Sequence, residues 1–140
     1  MIKIYMIRPK NLPAENNPAY IYAHGGGAIM FDASLENPGM IVTALNLQCI
    51  VFNVNYRLGP EAKAPKGQCD FAAAVRHISQ NASKYGVDKN QMCMAGISGG
   101  GWICFGAGNQ LAKTGEAHLV KANFLHSAML TDETGRVPAD

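Results

Sequence analysis

Short apolar runs recur along the chain. Each is bounded by glycine, proline or polar residues, and they alternate with stretches of helical spacing. Residues 2–8 alternate apolar and polar positions and run into Pro9, the pattern of a strand near a sheet edge. Residues 11–18 carry two prolines and three asparagines and predict a loop. Residues 19–23 read as a buried strand that stops at His24, and 28–36 as a variable loop. Pro38 suits a helix first turn. Met40, Ile41, Ala44, Leu45 and Leu47 then recur at helical spacing, which predicts an amphipathic helix over 38–47. Cys49 to Val54 is apolar enough for a buried strand. After a proline-bearing loop, Phe71, Ala72, Val75, Ile78 and Ser79 mark one face of a helix over 68–83, ended by Gly86. Residues 91–95 predict a strand and 99–113 a helix with little charge, so buried on most sides. Val120, Ala122, Phe124 and Leu125 predict a last strand over 120–126, and the polar residues 131–140 a frayed end.

Strand and helix alternate, so the expected class is α/β: three layers, with about five mostly parallel strands and helices on both faces. The 38–47 helix joins two strands in a right-handed βαβ unit. Ligands of such sheets lie beyond the carboxyl ends of the strands. No internal repeat interrupts the pattern.

At 140 residues the chain is one domain or part of one. With 48% hydrophobic and 16% charged residues it suits a packed core, not disorder. A net charge of +2 without a Lys/Arg cluster gives no electrostatic case for nucleic acid or an anionic membrane. No run reaches transmembrane length, and residues 1–5 do not read as a signal peptide. Cys49, Cys69, Cys93 and Cys104 lack paired metal spacing and predict small buried thiols, hence a reducing, cytoplasmic setting without a metal or other cofactor.

The candidate chemistry sits in two glycine motifs. Gly96-Ile97-Ser98-Gly99-Gly100 lies between a predicted strand and a predicted helix, the context in which Gly-x-Ser-x-Gly lifts a nucleophilic hydroxyl above a sheet. Gly96 and Gly100 leave room for strand and helix to approach, and the helix start bares backbone N–H groups. His24-Gly25-Gly26-Gly27 also follows a strand, and such a loop supplies the second half of an esterase oxyanion hole. Taken alone, the pentapeptide can occur by chance in a chain with 15 glycines; two motifs in this order, each after a strand, rarely do. Both end on the same predicted rim.

These residues resemble the hormone-sensitive-lipase branch of the α/β-hydrolases, which includes carboxylesterases and arylacetamide-deacetylase-like enzymes. Asn55-Tyr56-Arg57-Leu58-Gly59-Pro60-Glu61 is similar to that branch's Tyr-Arg-Leu-Ala-Pro-Glu segment. Ala64-Pro65, Asp70 and Tyr85-Gly86-Val87-Asp88 fall where the family has comparable residues. The resemblance covers about 1–130. It implies a sheet order of 2–8, 49–54, 19–23, 91–95, 120–126 and acyl transfer on a small-molecule ester. Ser98 would be the catalytic nucleophile and the N–H groups of Gly26, Gly27 and Gly99 the oxyanion hole, with His24, Gly25, Gly96 and Gly100 as motif support.

The chain departs from that pattern in two ways. Ile97 and Gly99 stand where the family usually has Asp and Ala. Only 42 residues follow Ser98, whereas the family's acid and histidine come after further strands. The expectation is a partial α/β-hydrolase domain over 1–140 with the nucleophile but not the acid and base. His126 could stand in as base only out of order, ahead of Asp132 and Glu133, and otherwise reads as a partly buried rim residue. His77 reads as solvated and His24 as a tie for the glycine loop. Three readings stay open: an esterase fragment inactive alone, a non-catalytic binding or interaction module that keeps the pocket, and a short active hydrolase with a borrowed base. An uncovered sheet face also predicts self-association.

Overall fold

A computed structural model describes residues 2–128 and 130. Asp132, Glu133 and the rest of the predicted frayed end lie outside the described residues. The chain runs β1 (Lys3–Ile7), β2 (Asn17–Ala23), a 3₁₀ turn (Ala33–Glu36), α1 (Asn37–Leu47), β3 (Ile50–Asn55), α2 (Lys66–Gln80), α3 (Ala82–Tyr85), β4 (Val87–Ile97), α4 (Gly99–Lys113), a second 3₁₀ turn (Ala117–Leu119) and β5 (Ala122–His126). One sheet has the order β1-β3-β2-β4-β5, the order that the resemblance implied. β3, β2, β4 and β5 are parallel; β1 alone runs antiparallel, against β3.

Alternation along the central strands sorts the side chains into two cores. Ile21, Phe52, Val54, Met92 and Met94 face α2 and α4, where Phe71, Val75, Ile78, Ile103, Ala107 and Leu111 close over them. Tyr22, Val51 and Ala95 face the opposite layer, where α1 contributes only Met40 and Ala44. Among the described residues the first face is sealed by α2 and α4, and the second is covered by α1. Of the apolar set predicted to bury α1, Ile41, Leu45 and Leu47 stand about half exposed, at 48%, 50% and 56%.

Other boundaries moved for local reasons. β2 begins at Asn17, inside the predicted loop, because Asn17 N–H and its side-chain amide both donate to Gly86 O. β4 begins at Val87, which pairs with Asn17 before the register shifts to Ala19 opposite Met92. The polar stretch between is turned on itself by Asp88, which accepts from Asn90 N–H and the Gln91 amide, and this masks the strand in the sequence. The predicted 68–83 helix breaks at Asn81, and Gly86, at φ 69°, ends the following turn. Cys69 is exposed, against the expectation of buried thiols, while Cys49 and Cys104 are buried and Cys93 is half-buried.

The loop after β3 is held by an ion pair between two residues of the family-like segments. Asp70 on α2 is 7% exposed and takes Arg57 in a two-pronged grip, Nε to Oδ2 at 2.8 Å and Nη2 to Oδ1 at 2.7 Å. The Arg57 backbone N–H adds a third bond to the same carboxylate. This pins the segment that carries Tyr56 underneath the glycine loop.

Candidate active site

β4 and α4 are joined by a single residue, Ser98, with φ 53° and ψ −119°. A non-glycine residue rarely adopts this conformation, and holding it costs on the order of 1–3 kcal/mol. The surroundings hold Ser98 there. Its N–H donates to His126 O at the end of β5, and its C=O accepts from Gly101 N–H. A methyl on Gly96 would lie 2.3 Å from Gly100 O, and one on Gly100 would lie 2.1 Å from Ala23 O. Glycine at these two positions is what lets the turn close and the helix start rest on the end of β2. Ser98 is half-buried, so its hydroxyl remains reachable.

The glycine loop arrives from β2 on the same rim, as expected, since Ala23 and Gly96 are register partners. Its peptides are anchored one by one. His24 O accepts from the buried Tyr56 hydroxyl at 2.7 Å. Gly25 N–H donates to Glu36 Oε1 at 3.0 Å. Gly25 O lies 2.7 Å from His24 Nδ1; that oxygen can only accept, so Nδ1 carries the proton. Because the peptide is planar and trans, anchoring Gly25 O aims Gly26 N–H the opposite way, out of the loop. Gly26 (φ 106°) and Gly27 (φ 64°) take backbone angles open to glycine. Among the described residues the N–H groups of Gly26, Gly27 and Gly99 donate to no protein acceptor.

Loop and helix start are very close. A methyl on Gly99 would lie 2.6 Å from Gly27 N and 2.7 Å from Ala28 N. The loop therefore fills the volume that the alanine usual at this position would need. Ile97 Cγ2 packs at 3.4 Å from where a Gly25 methyl would stand, so the side chain that replaces the expected acid makes an apolar contact with the loop.

The histidines do not complete the site. His24 is fully buried and stacks on Tyr56 with ring centroids 4.5 Å apart; its Nε2 has no partner among the described residues. Burial lowers its pKa and keeps it neutral. His77 is exposed, as read from the sequence, and sits beside the Tyr85 hydroxyl; His118 sits near Gly115 O. His126 is exposed, not partly buried as expected, and its ring lines a cavity of about 490 Å³ on the α1 face with Tyr20, Cys93, Ile97 and Phe124. No histidine ring hydrogen-bonds Ser98 among the described residues. The half-buried and buried thiols are poor nucleophiles, since burial pushes Cys49 and Cys93 up to about 11. No group of three or more His, Cys, Asp or Glu residues among those described could hold a metal ion. No described helix is long and apolar enough to cross a membrane.

The motifs read from sequence thus meet in space. Glu36 escaped that reading: it lies in a loop without periodicity, and only the fold brings it under Gly25. The single advance signal was an acid shortly downstream of the glycine loop.

Comparison with known proteins agrees with this geometry. Residues 20–139 match the α/β-hydrolase fold family. A carboxylesterase of Mycobacterium tuberculosis is 38% identical over 89 residues, which are 64% of this chain and 28% of that protein. Human arylacetamide deacetylase-like 2 is 32% identical over 130 residues, covering 89% of this chain and 32% of that protein. The solved structure of a bacterial heroin esterase superposes with a TM-score of 0.86 at 31% identity, over 94% of this chain and 41% of that one. The chain spans less than a third of the length of either curated relative. It belongs to the α/β-hydrolase fold family.

Proposed function

We propose that the chain carries the nucleophile and oxyanion hole of a serine carboxylic-ester hydrolase and is inactive alone. The reading rests on one observation: Ser98 held at positive φ between β4 and α4, directly beside the glycine loop. Ser98 Oγ attacks the ester carbonyl carbon, and the π electrons move onto the carbonyl oxygen. The N–H groups of Gly26, Gly27 and Gly99 receive that oxyanion; such donors stabilise the transition state by about 3–4 kcal/mol each. Collapse expels the alcohol, which leaves with the serine's proton, and water then hydrolyses the acyl-enzyme. The substrate is a small-molecule ester. No cofactor takes part.

What the described residues lack is the general base. Without one the serine hydroxyl is a weak nucleophile, and the oxyanion hole and binding alone leave a rate orders of magnitude below a complete triad. The purified chain should hydrolyse p-nitrophenyl acetate barely above background, with Ser98→Ala changing little. A fluorophosphonate, whose reactivity is far higher, should still mark Ser98 slowly, as read by mass spectrometry. Ester turnover at ordinary esterase rates, abolished by Ser98→Ala, would overturn the inactive reading. Absence of any adduct on Ser98 would favour the second reading, a binding module with the pocket but no catalysis; the observation behind it is that no histidine among the described residues hydrogen-bonds the Ser98 hydroxyl.

A further inference from the structure

We propose that Glu36 is the positioning residue of the oxyanion loop, holding it with a carboxylate from the side of the turn before α1, while the elbow carries the apolar Ile97. The inference rests on the reading of Ser98 as nucleophile and concerns how this chain keeps the loop in shape without an acid at position 97.

Three consecutive glycines have no intrinsic preference for one backbone shape, so a preorganised loop needs external anchors. Glu36 provides two contacts at once. Oε1 accepts from Gly25 N–H at 3.0 Å, and Oε2 accepts from the Tyr22 hydroxyl at 2.5 Å. The Tyr22 bond fixes the second oxygen, so the first cannot swing away from the loop. Tyr22 in turn sits in the middle of the sheet and is 7% exposed; burial, then the bond to Glu36, push its pKa up, so it stays a donor.

The turn that carries Glu36 is itself rigidly mounted. Asp32 caps it by accepting from Ser34 N–H at 2.8 Å and from the Asn55 amide at 2.7 Å. Asn55 Oδ1 accepts from Ala33 N–H, and the Asn53 amide donates to Ala33 O. Glu36 is therefore fastened to the ends of β2, the strand that runs into the loop, and of its neighbour β3. Against Gly25 the elbow presents the Ile97 methyl and the Ile97 backbone carbonyl, and the one carboxylate nearby among the described residues is that of Glu36. Gly25 thus has its N–H held by Glu36 and its C=O by His24, and the direction of Gly26 N–H follows from both.

The test compares Glu36→Ala, Glu36→Gln and Tyr22→Phe in the full chain. Two readings are taken: the rate of Ser98 phosphonylation by a fluorophosphonate, and the amide shifts and hydrogen exchange of Gly25, Gly26 and Gly27 by NMR. Glu36→Ala should slow phosphonylation about tenfold, the size of effect expected for loss of one partly buried hydrogen bond. It should also abolish Gly25 protection and move the Gly26 and Gly27 amide signals. Glu36→Gln keeps an acceptor for Gly25 and a donor for the tyrosine oxygen, and should restore both readings to near the parent. Tyr22→Phe should fall between and remains informative if Glu36→Ala does not fold. Unchanged Gly26 and Gly27 amides in Glu36→Ala, or Gln behaving like Ala, would overturn the inference. If the parent chain forms no adduct at all, the nucleophile reading fails, and the amide signals alone decide the role of Glu36.

Discussion

The sheet face beneath α1 offers a quantitative test. Ile41, Val42, Leu45 and Leu47 on α1 and Phe124 on β5 are 48%, 56%, 50%, 56% and 56% exposed. Fully burying such a side chain yields about 1.5–3 kcal/mol, so hiding the exposed halves of five yields roughly 4–7 kcal/mol. Association costs about 4–15 kcal/mol in lost freedom. In a dimer both copies hide this face, which doubles the gain to roughly 8–15 kcal/mol and leaves a modest surplus over the association cost, and the open edge of β5 adds only a few strand hydrogen bonds. The expectation is weak, concentration-dependent self-association, with no fixed tight dimer. Light scattering coupled to size exclusion, run from about 10 to 500 μM, spans the dissociation constants such a balance allows. Val42→Lys with Leu45→Lys places two charges one helical turn apart on the outer side of α1. The pair should shift the association to markedly higher concentration while leaving helicity unchanged, because lysine is a good helix former. A parent chain that stays monomeric across the whole range and melts cooperatively above about 60 °C would refute the reasoning. The exposed groups would then cost far less than their area suggests.

Three further outcomes follow from the geometry. Ser98→Gly should raise stability by about 1 kcal/mol, read by urea denaturation, because it removes the strain at φ 53° while abolishing any phosphonate adduct. Gly100→Ala should cost about 3 kcal/mol or more, or prevent folding, since its methyl would meet Ala23 O at 2.1 Å and no flexible side chain can yield. His24, whose folded pKa lies below the ordinary 6.5, binds its proton more readily in the unfolded chain. Its contribution to stability is therefore complete above pH 6.5 and is lost as pH falls from there towards the folded pKa. Denaturation midpoints at pH 7.5 and 5.5, with the His24 ring signals followed by NMR, check the sign.

The parts of the fold that sequence makes legible are those governed by local pattern. Ala19–Ala23 and Cys49–Val54 are apolar runs with turn residues at each end, and both are central strands. Gly96 and Gly100 announce a tight turn because no other residue fits it. The features that escaped depend on tertiary placement. Ile41, Leu45 and Leu47 have the spacing of a buried face, yet spacing cannot say whether a second element exists to cover it. The Asp88 turn places four polar residues inside β4. Glu36 lies nowhere near the glycine loop in any periodic sense. The carboxylate reaches Gly25 N–H because α1 and its preceding turn fold back over the end of β2.

The pairing of β2 with β4 also sets an order of assembly. Ala23 and Gly96 are neighbours in the sheet but lie 73 residues apart along the chain. The crossover between them holds α1, β3 and α2, so this pairing waits until all of that chain has been made. Contacts of such long sequence separation form late and slowly. The glycine loop and its tie to Glu36 span 11 residues and can close early in synthesis. The elbow has no such local route. A nascent chain halted before Met92 would carry a shaped glycine loop with nothing opposite it, and Gly27 and Gly99 would come together only once the centre of the sheet had closed.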